Sequence, residues 1–221
     1  AEEALQLSGR DFRTAVVAAY EVYQRIAMVV QPPTDWDIMK GWGLTSWQIF
    51  AAVVPAAKLM GLTADQVNQA LGFGVLCCPV QSNLHHITMS DAYHFEHGFR
   101  AKHGVLAAML AKASLDNYMD CFDDTYTFDY HMTPEPKREW YTKELGTRWL
   151  TKEVLIKHWP ANMWLQTPIE LAHDITVKNH IKPGDIEEII LNPPTAGRMY
   201  YSAEGLTSVT LAQFYEPFML S

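Results

Sequence analysis

Apolar residues recur at helical spacing through much of the first half of this chain, and this periodicity constrains the fold most strongly. Over residues 11–30 they recur every three or four positions, and Pro32-Pro33 ends the pattern. Three further patterns predict helices over residues 47–60, 64–71 and 99–113. Consecutive helices with apolar stripes must bury those stripes against one another, so the chain is expected to begin as a packed helical domain.

Capping residues support two of these helices, and proline and glycine residues predict a kink in one helix and a weak end in another. Residues 8–11 resemble a capping box with Asp11 in the acidic position, and residues 63–66 form a second one. Pro55 predicts a kink in the helix over residues 47–60. Gly72 and Gly74 weaken any continuation of the third helix to Leu76.

The pattern changes after residues 133–137, a Pro-rich candidate linker. Residues 149–158 alternate loosely and suggest a strand, and residues 186–192 form the clearest strand pattern in the chain. Between them, residues 168–180 predict a helix with Pro168 in its first turn; its inward residues are Ile169, Leu171, Ala172, Ile175 and Val177. The last residues, 211–221, resemble the first turns of an apolar helix. The sequence therefore predicts a mostly helical protein, with part of an all-helical domain over residues 1–135 and the start of an α+β domain over residues 136–221.

Composition narrows the class of protein. The net charge of −8 argues against general nucleic-acid binding, because nothing balances phosphate repulsion. No apolar stretch reaches the ~18 residues of a membrane span, and the first residues lack the basic region of a signal peptide. The three cysteines, Cys77, Cys78 and Cys121, show no disulfide spacing and are expected to be reduced and inert. We expect a cytoplasmic protein.

The richest chemical segment is residues 83–103, which contain five of the nine histidines. It leads into the helix predicted from Phe99, whose first amides would favour anions. Arg100 could bind a carboxylate in bidentate fashion, and a histidine such as His97 could move protons. Two other interpretations stay open: a solvated loop with capping or core histidines, and a metal site, since His94 and His97 have chelating spacing but match no zinc signature.

A second candidate is Lys157, within residues 156–160. A lysine beside apolar and aromatic neighbours can have its pKa lowered by desolvation, which suits it to proton transfer or carboxylate binding. The alternative is an ordinary surface lysine at the end of a strand. The chain contains no dinucleotide-binding glycine motif, no phosphate-binding loop motif and no nucleophile elbow.

Several stretches taken together resemble the MmgE/PrpD family, which includes 2-methylcitrate dehydratase, cis-aconitate decarboxylase and iminodisuccinate epimerase. The resembling stretches are residues 9–21, 51–72, 98–111, 156–160, 185–189 and 212–214. The resemblance implies a homodimeric, cofactor-independent enzyme with an all-helical domain, an α+β lid domain and an active site in the cleft between them. It also implies that segments before Ala1 and after Ser221 are missing.

The resemblance carries over unevenly to single residues. Lys157 falls on the family's lid lysine in an Ile-Lys-x-x-Pro motif, and Gly98 falls on the glycine that opens the helix. Many members have a second lysine where this chain has Tyr93, and a histidine where it has Glu96. Two further histidine positions are occupied here by Trp42 and Gln166.

The resemblance implies a lyase that dehydrates or decarboxylates a small di- or tricarboxylate after proton abstraction next to a carboxylate. The predicted catalytic residues are Lys157, His97, Tyr93 and Glu96; the predicted substrate-binding residues are Arg100, Lys102, His103 and Gln166. We expect a homodimer, and we expect no cofactor, metal, nucleic acid or membrane partner. The alternatives are an epimerase or isomerase of the same family, a metal-dependent enzyme, and a non-catalytic homologue used as a binding or scaffold protein.

Overall fold

The computed structural model describes residues 6–31, 46–78, 92–117, 120–123, 127–192 and 206–221. The α-helices in these ranges are α1 (Gly9–Val30), α2 (Phe50–Leu59), α3 (Ala64–Leu76), α4 (Ala92–Lys112), α5 (Phe128–Met132), α6 (Gln166–Asn179), α7 (Val209–Ala212) and α8 (Glu216–Leu220). Short 3₁₀ helices occupy Ser46–Ile49, Arg138–Tyr141, Leu150–Glu153, Met163–Leu165 and Pro183–Asp185. None of the described residues lies in a β-strand. The predicted mostly helical fold is confirmed.

The chain divides into two compact units. The first comprises Ala1–Leu84 and His94–Val154, and the second comprises His85–Tyr93 and Leu155–Ser221. Residues 136–154 therefore make their contacts within the first unit. The domain boundary predicted after residue 135 stays a prediction.

Helix α1 forms as its sequence predicts and organises the first unit. Ser8 and Asp11 make both hydrogen bonds of a capping box at its start. Its buried face, which includes Ala15, Ala19 and Ile26, packs on α2. The centre of this core is Phe50, whose ring makes edge-on contacts with two other phenylalanines, Phe122 and Phe128.

Helix α3 continues to Leu76, although Gly72 and Gly74 were expected to weaken the helix beyond Leu71. A Cβ added to Gly74 would lie 3.1 Å from Val53 Cγ2 and 3.2 Å from a ring carbon of Phe50. The glycine therefore allows α3 to approach α2 closely, and tertiary packing outweighs its low helix propensity. Helix α2 likewise runs through Pro55.

A buried ion pair joins α1 to residues 138–153. Arg25 Nε donates to Glu21 Oε1 at 2.9 Å, and both side chains are less than a tenth exposed. Arg25 also donates to the carbonyl oxygens of Trp140, Lys143 and Arg148. Glu21 Oε2 accepts from the backbone nitrogen and the hydroxyl of Thr151. The strand predicted over residues 149–158 is wrong, because this carboxylate instead anchors the first turn of the 3₁₀ helix Leu150–Glu153.

The second unit has a small core of Ala161, Leu165 and Ile169, with Trp159 and Met219 packed against it. Helix α6 is confirmed, with Pro168 in its first turn. Of its predicted inward residues, Ile169 is buried and Ala172 is half-buried, whereas Leu171, Ile175 and Val177 are all more than half exposed.

Two other predictions in the second unit differ from the structure. Residues 186–192 do not form the predicted strand: a strand needs a hydrogen-bonded neighbour, and the described part of the chain supplies none. At the carboxyl end, α7 and α8 are separate short helices, with Pro217 at the start of α8. Among the described helices, none combines the length and the apolar character that crossing a bilayer requires.

Candidate functional site

Helix α4 begins at Ala92 rather than at the predicted Phe99, so Glu96 and His97 lie on a helix and not in a loop. Arg100 is consequently more than two turns inside the helix, away from the free amides of its first turn. Its guanidinium pairs with Glu96 one turn earlier, at an Nη1–Oε2 distance of 3.1 Å. This i,i+4 pair supports the helix across the point where the sequence pattern predicted its start.

Gly104 brings α4 against the start of α2. A Cβ at this position would lie 2.6 Å from Ala52 Cβ and 2.7 Å from the carbonyl oxygen of Ile49. His97 lies two helical turns before Gly104 and so faces the same neighbour. The close approach places His97 beside Gln48 of the 3₁₀ segment.

His97 is an exposed acid–base group of this region, as is His94 one turn earlier. The Nδ1 atom of His97 lies 2.6 Å from Gln48 Oε1. A carbonyl oxygen can only accept, so in the neutral ring the proton resides on Nδ1 and the lone pair on Nε2. Partial desolvation of the ring lowers the pKa of His97, the charge of Arg100 lowers it further, and Glu96 opposes both. A neutral imidazole near pH 7 is the form that accepts a proton.

The neighbours of His97 are buried. Arg100 and Glu96 are 2% and 8% exposed at their side chains, so their ion pair lies within the protein interior. Burial raises the pKa of Tyr23, and a hydrogen bond with the side chain of Gln48 opposes that rise. Gln48 therefore links a half-buried phenol to an exposed imidazole. Neither Tyr23 nor Gln48 is among the residues predicted from the sequence.

The other candidates on α4 occupy different settings. Lys102 is exposed and His103 is half-buried. Tyr93 lies in the first turn of the helix, and its side chain lies outside the described part of the structure, as do Trp42 and residues 83–91. The sequence-predicted residues that the structure brings together here are Glu96, His97 and Arg100.

Lys157 belongs to the second unit. It is exposed, and the preceding Leu155 and Ile156 are 92% and 93% exposed. It lies between the 3₁₀ helix Leu150–Glu153 and a bend at residues 158–161, not at the end of a strand.

Gln166 orders the backbone that follows Lys157. Its Oε1 accepts from the backbone nitrogens of His158 and Trp159, at 3.0 and 2.9 Å. Its Nε2 donates to the carbonyl oxygens of Trp159 and Ala161. The amide that was predicted to bind substrate thus makes at least four contacts with the backbone of this segment.

Glu170, one turn after Gln166, holds the side chains of the same segment. It accepts from Trp159 Nε1 at 2.7 Å and lies 3.0 Å from His158 Nδ1. Those hydrogen bonds, from Trp159 first and His158 second, lower the pKa of Glu170. Helix α6 therefore fixes both the backbone and the rings of residues 158–159.

Metal and thiol chemistry find little support in the described residues. Those residues contain no group of three or more His, Cys, Asp or Glu side chains suited to a metal ion. Burial raises the pKa of Cys78 and of Cys121 to about 12, which keeps both as neutral thiols. All three cysteines are free, and the expectation of inert thiols is supported for Cys78 and Cys121.

Comparison with known proteins gives three findings. A family model described as the MmgE/PrpD N-terminal domain matches residues 1–140. A cis-aconitate decarboxylase-like protein of Aspergillus oryzae, oryM, is 28% identical over 167 residues, which cover 68% of this chain and 32% of that protein. A cis-aconitate decarboxylase of Aspergillus terreus is 26% identical over 189 residues, covering 79% of this chain and 36% of that protein. The chain spans about a third of the length of the curated relatives it matches.

Proposed function

This chain belongs to the MmgE/PrpD family, and from that premise we propose that it forms part of a lyase acting on a small di- or tricarboxylate without a cofactor. The relatives named as cis-aconitate decarboxylases support the lyase class. A homodimer in the cytoplasm is part of the same proposal.

The structural observation that carries the proposal is the setting of His97. Its ring is exposed, its Nδ1 is held by Gln48, and its pKa is lowered. Such an imidazole suits the removal of a proton from a carbon next to a carboxylate. In a dehydration, the C–H electron pair forms the new double bond, the C–O bond breaks, and the departing hydroxide takes up a proton to leave as water.

Besides a base, the reaction requires cationic side chains, because negative charge grows on the substrate carboxylate as the proton leaves and a cation stabilises it. We assign Lys157 to substrate carboxylate binding, since its ammonium is exposed on a segment whose backbone Gln166 orders. Arg100 acts differently in this proposal. Its buried guanidinium does not bind substrate but lowers the pKa of His97.

The test is turnover by the full-length protein with citrate-like, aconitate-like and iminodisuccinate-like acids. We expect elimination or decarboxylation of at least one acid, and His97→Gln should lower kcat at least tenfold. His131→Asn is the matched control, because His131 is an exposed histidine on another helix of the first unit.

Each other outcome assigns a different function. Inversion of a stereocentre without elimination would assign an epimerase, and no turnover of any acid would assign a binding or scaffold role. Full activity in the His97 variant would remove His97 from the mechanism.

A further inference from the structure

A groove on the first unit carries an unusual set of charges. It has a volume of about 470 Å³ and is lined by Arg10, Arg13, Thr14, Val17, Ala18, Lys58 and Trp149. Five of these residues come from α1, one from the last turn of α2 and one from the residue before the 3₁₀ helix Leu150–Glu153. None of them belongs to the proton-transfer site proposed above.

Helix geometry explains why the α1 residues meet there. Arg10, Arg13 and Val17 lie three and four positions apart, so they share one face of the helix. Ala15 and Ala19 lie on the opposite side and are buried in the core. The groove is therefore on the outer face of a helix whose inner face is anchored to α2.

Among the described residues, every ionisable side chain that lines the groove is a cation. The whole chain has more acidic residues than basic ones, 25 against 17, so a groove whose described lining has three cations and no carboxylate differs from the chain as a whole. The ion pairs among the described residues involve other side chains. The nearest acid along α1, Asp11, accepts from the backbone nitrogen and the hydroxyl of Ser8 and also interacts with the charge of Arg10. Like charges that share a groove repel one another, and a bound anion relieves this repulsion.

The uncharged residues that line the groove indicate which uncharged group the ligand carries. Val17 and Ala18 are apolar, and the indole of Trp149 is 42% exposed. An exposed indole offers a flat surface for an apolar or planar group, and guanidinium groups bind carboxylates and phosphates in bidentate fashion. We propose that this groove binds a small organic polyanion, which carries at least two acidic groups and an apolar or planar body.

Two sources share this chemistry: a polycarboxylate and an organic phosphate. Titration calorimetry of the full-length protein at physiological ionic strength, with tricarballylate and with adenosine diphosphate as probes, distinguishes them. We expect saturable binding of at least one probe. Tighter binding of adenosine diphosphate, lost in Trp149→Leu, would identify a phosphate with a planar group; tighter binding of tricarballylate, little changed in that variant, would identify a polycarboxylate.

Charge-removing variants test the site itself. Arg13→Gln and Lys58→Gln should each weaken binding at least about fivefold, because each removes a charge-assisted contact. Both side chains are exposed, so the variants should unfold at the same temperature as the native protein. Lys112→Gln, which removes a cation from the last turn of α4, is the control and should bind normally. The proposal is overturned if neither probe binds, or if Arg13→Gln and Lys58→Gln bind as tightly as the native protein.

Discussion

His97 Nδ1 lies 2.6 Å from Gln48 Oε1, which joins two residues 49 positions apart in the sequence. The contact depends on the close approach of α4 to Ala52, which Gly104 permits. Because the oxygen accepts, it selects the imidazole tautomer that is protonated at Nδ1. Gln48 thereby positions the lone pair of Nε2.

Replacing Gln48 tests this positioning role directly. Gln48→Leu removes the acceptor, so the ¹⁵N chemical shifts of His97 should change from a predominantly Nδ1-protonated ring to a mixture of tautomers. Gln48→Glu keeps an acceptor and adds a negative charge, so it should retain the tautomer and raise the pKa of His97. Unchanged ¹⁵N shifts in Gln48→Leu would show that another group orients the ring.

The lowered pKa of His97 has a consequence for pH dependence. Its titration midpoint, followed by NMR, should lie below the ordinary value of 6.5. Between the folded and unfolded pKa values the unfolded chain binds more protons, so stability should rise with pH across that window and be lost as pH falls through the folded pKa. In His97→Gln this part of the pH dependence should disappear, while a midpoint above 6.5 in the native protein would contradict the lowered pKa.

Two glycines of α4 form a matched pair for testing the packing. Gly104→Ala should destabilise the protein by about 2 kcal/mol, because the new methyl group meets backbone atoms of Ile49 and Val53 that cannot move aside easily. Gly98→Ala meets nothing within 4 Å and should stabilise the same helix by about 0.5–1 kcal/mol. Urea denaturation measures the change in the free energy of unfolding for both variants. If Gly104→Ala changed it by the same amount and in the same direction as Gly98→Ala, the close approach of α4 to α2 would be refuted.

Local signals were sufficient to predict α1. Its capping box, its apolar stripe and the prolines after it all lie within about 25 residues of one another, and each acts over one or two turns. The same kind of signal misplaced the start of α4, because its first two turns contain the polar residues Glu96 and His97, which add nothing to the apolar stripe that predicts the helix. Their contacts with Arg100 and Gln48 exist only in the folded chain.

Long-range contacts account for the other differences. His97 and Lys157 could be named from residue type and family resemblance. The contact of Gln48 and the contacts by which the Glu21–Arg25 pair holds residues 140–151 could not, since they join residues 49 to 130 positions apart. The strand pattern at residues 186–192 reports which side chains alternate. It does not report whether a neighbouring strand is present, and within the described residues the required backbone pairing does not occur.

The buried pair Glu21–Arg25 should behave differently under single and double replacement. Arg25→Met leaves a buried carboxylate without its cation and removes three contacts with carbonyl oxygens, so it should cost about 3 kcal/mol or more. Glu21→Gln combined with Arg25→Met removes the uncompensated charge and should restore part of the loss. Thermal unfolding of the single and double variants checks this, and strictly additive losses would argue against a coupled pair.

Variants at Lys157 and Gln166 should have different effects, because Lys157 is proposed to bind substrate whereas Gln166 orders the backbone of residues 158–161. Lys157→Ala in the full-length protein should lower turnover at least tenfold and leave the unfolding temperature unchanged, because the side chain is exposed. Gln166→Leu should instead lower stability, since it leaves the backbone nitrogens of His158 and Trp159 without their acceptor. Lys152→Ala, an exposed lysine five residues earlier, is the control for lost charge and should retain turnover. If Lys157→Ala also turns over substrate at the normal rate, the carboxylate-binding role passes to another cation, and ordering by Gln166 remains a purely structural property of the second unit.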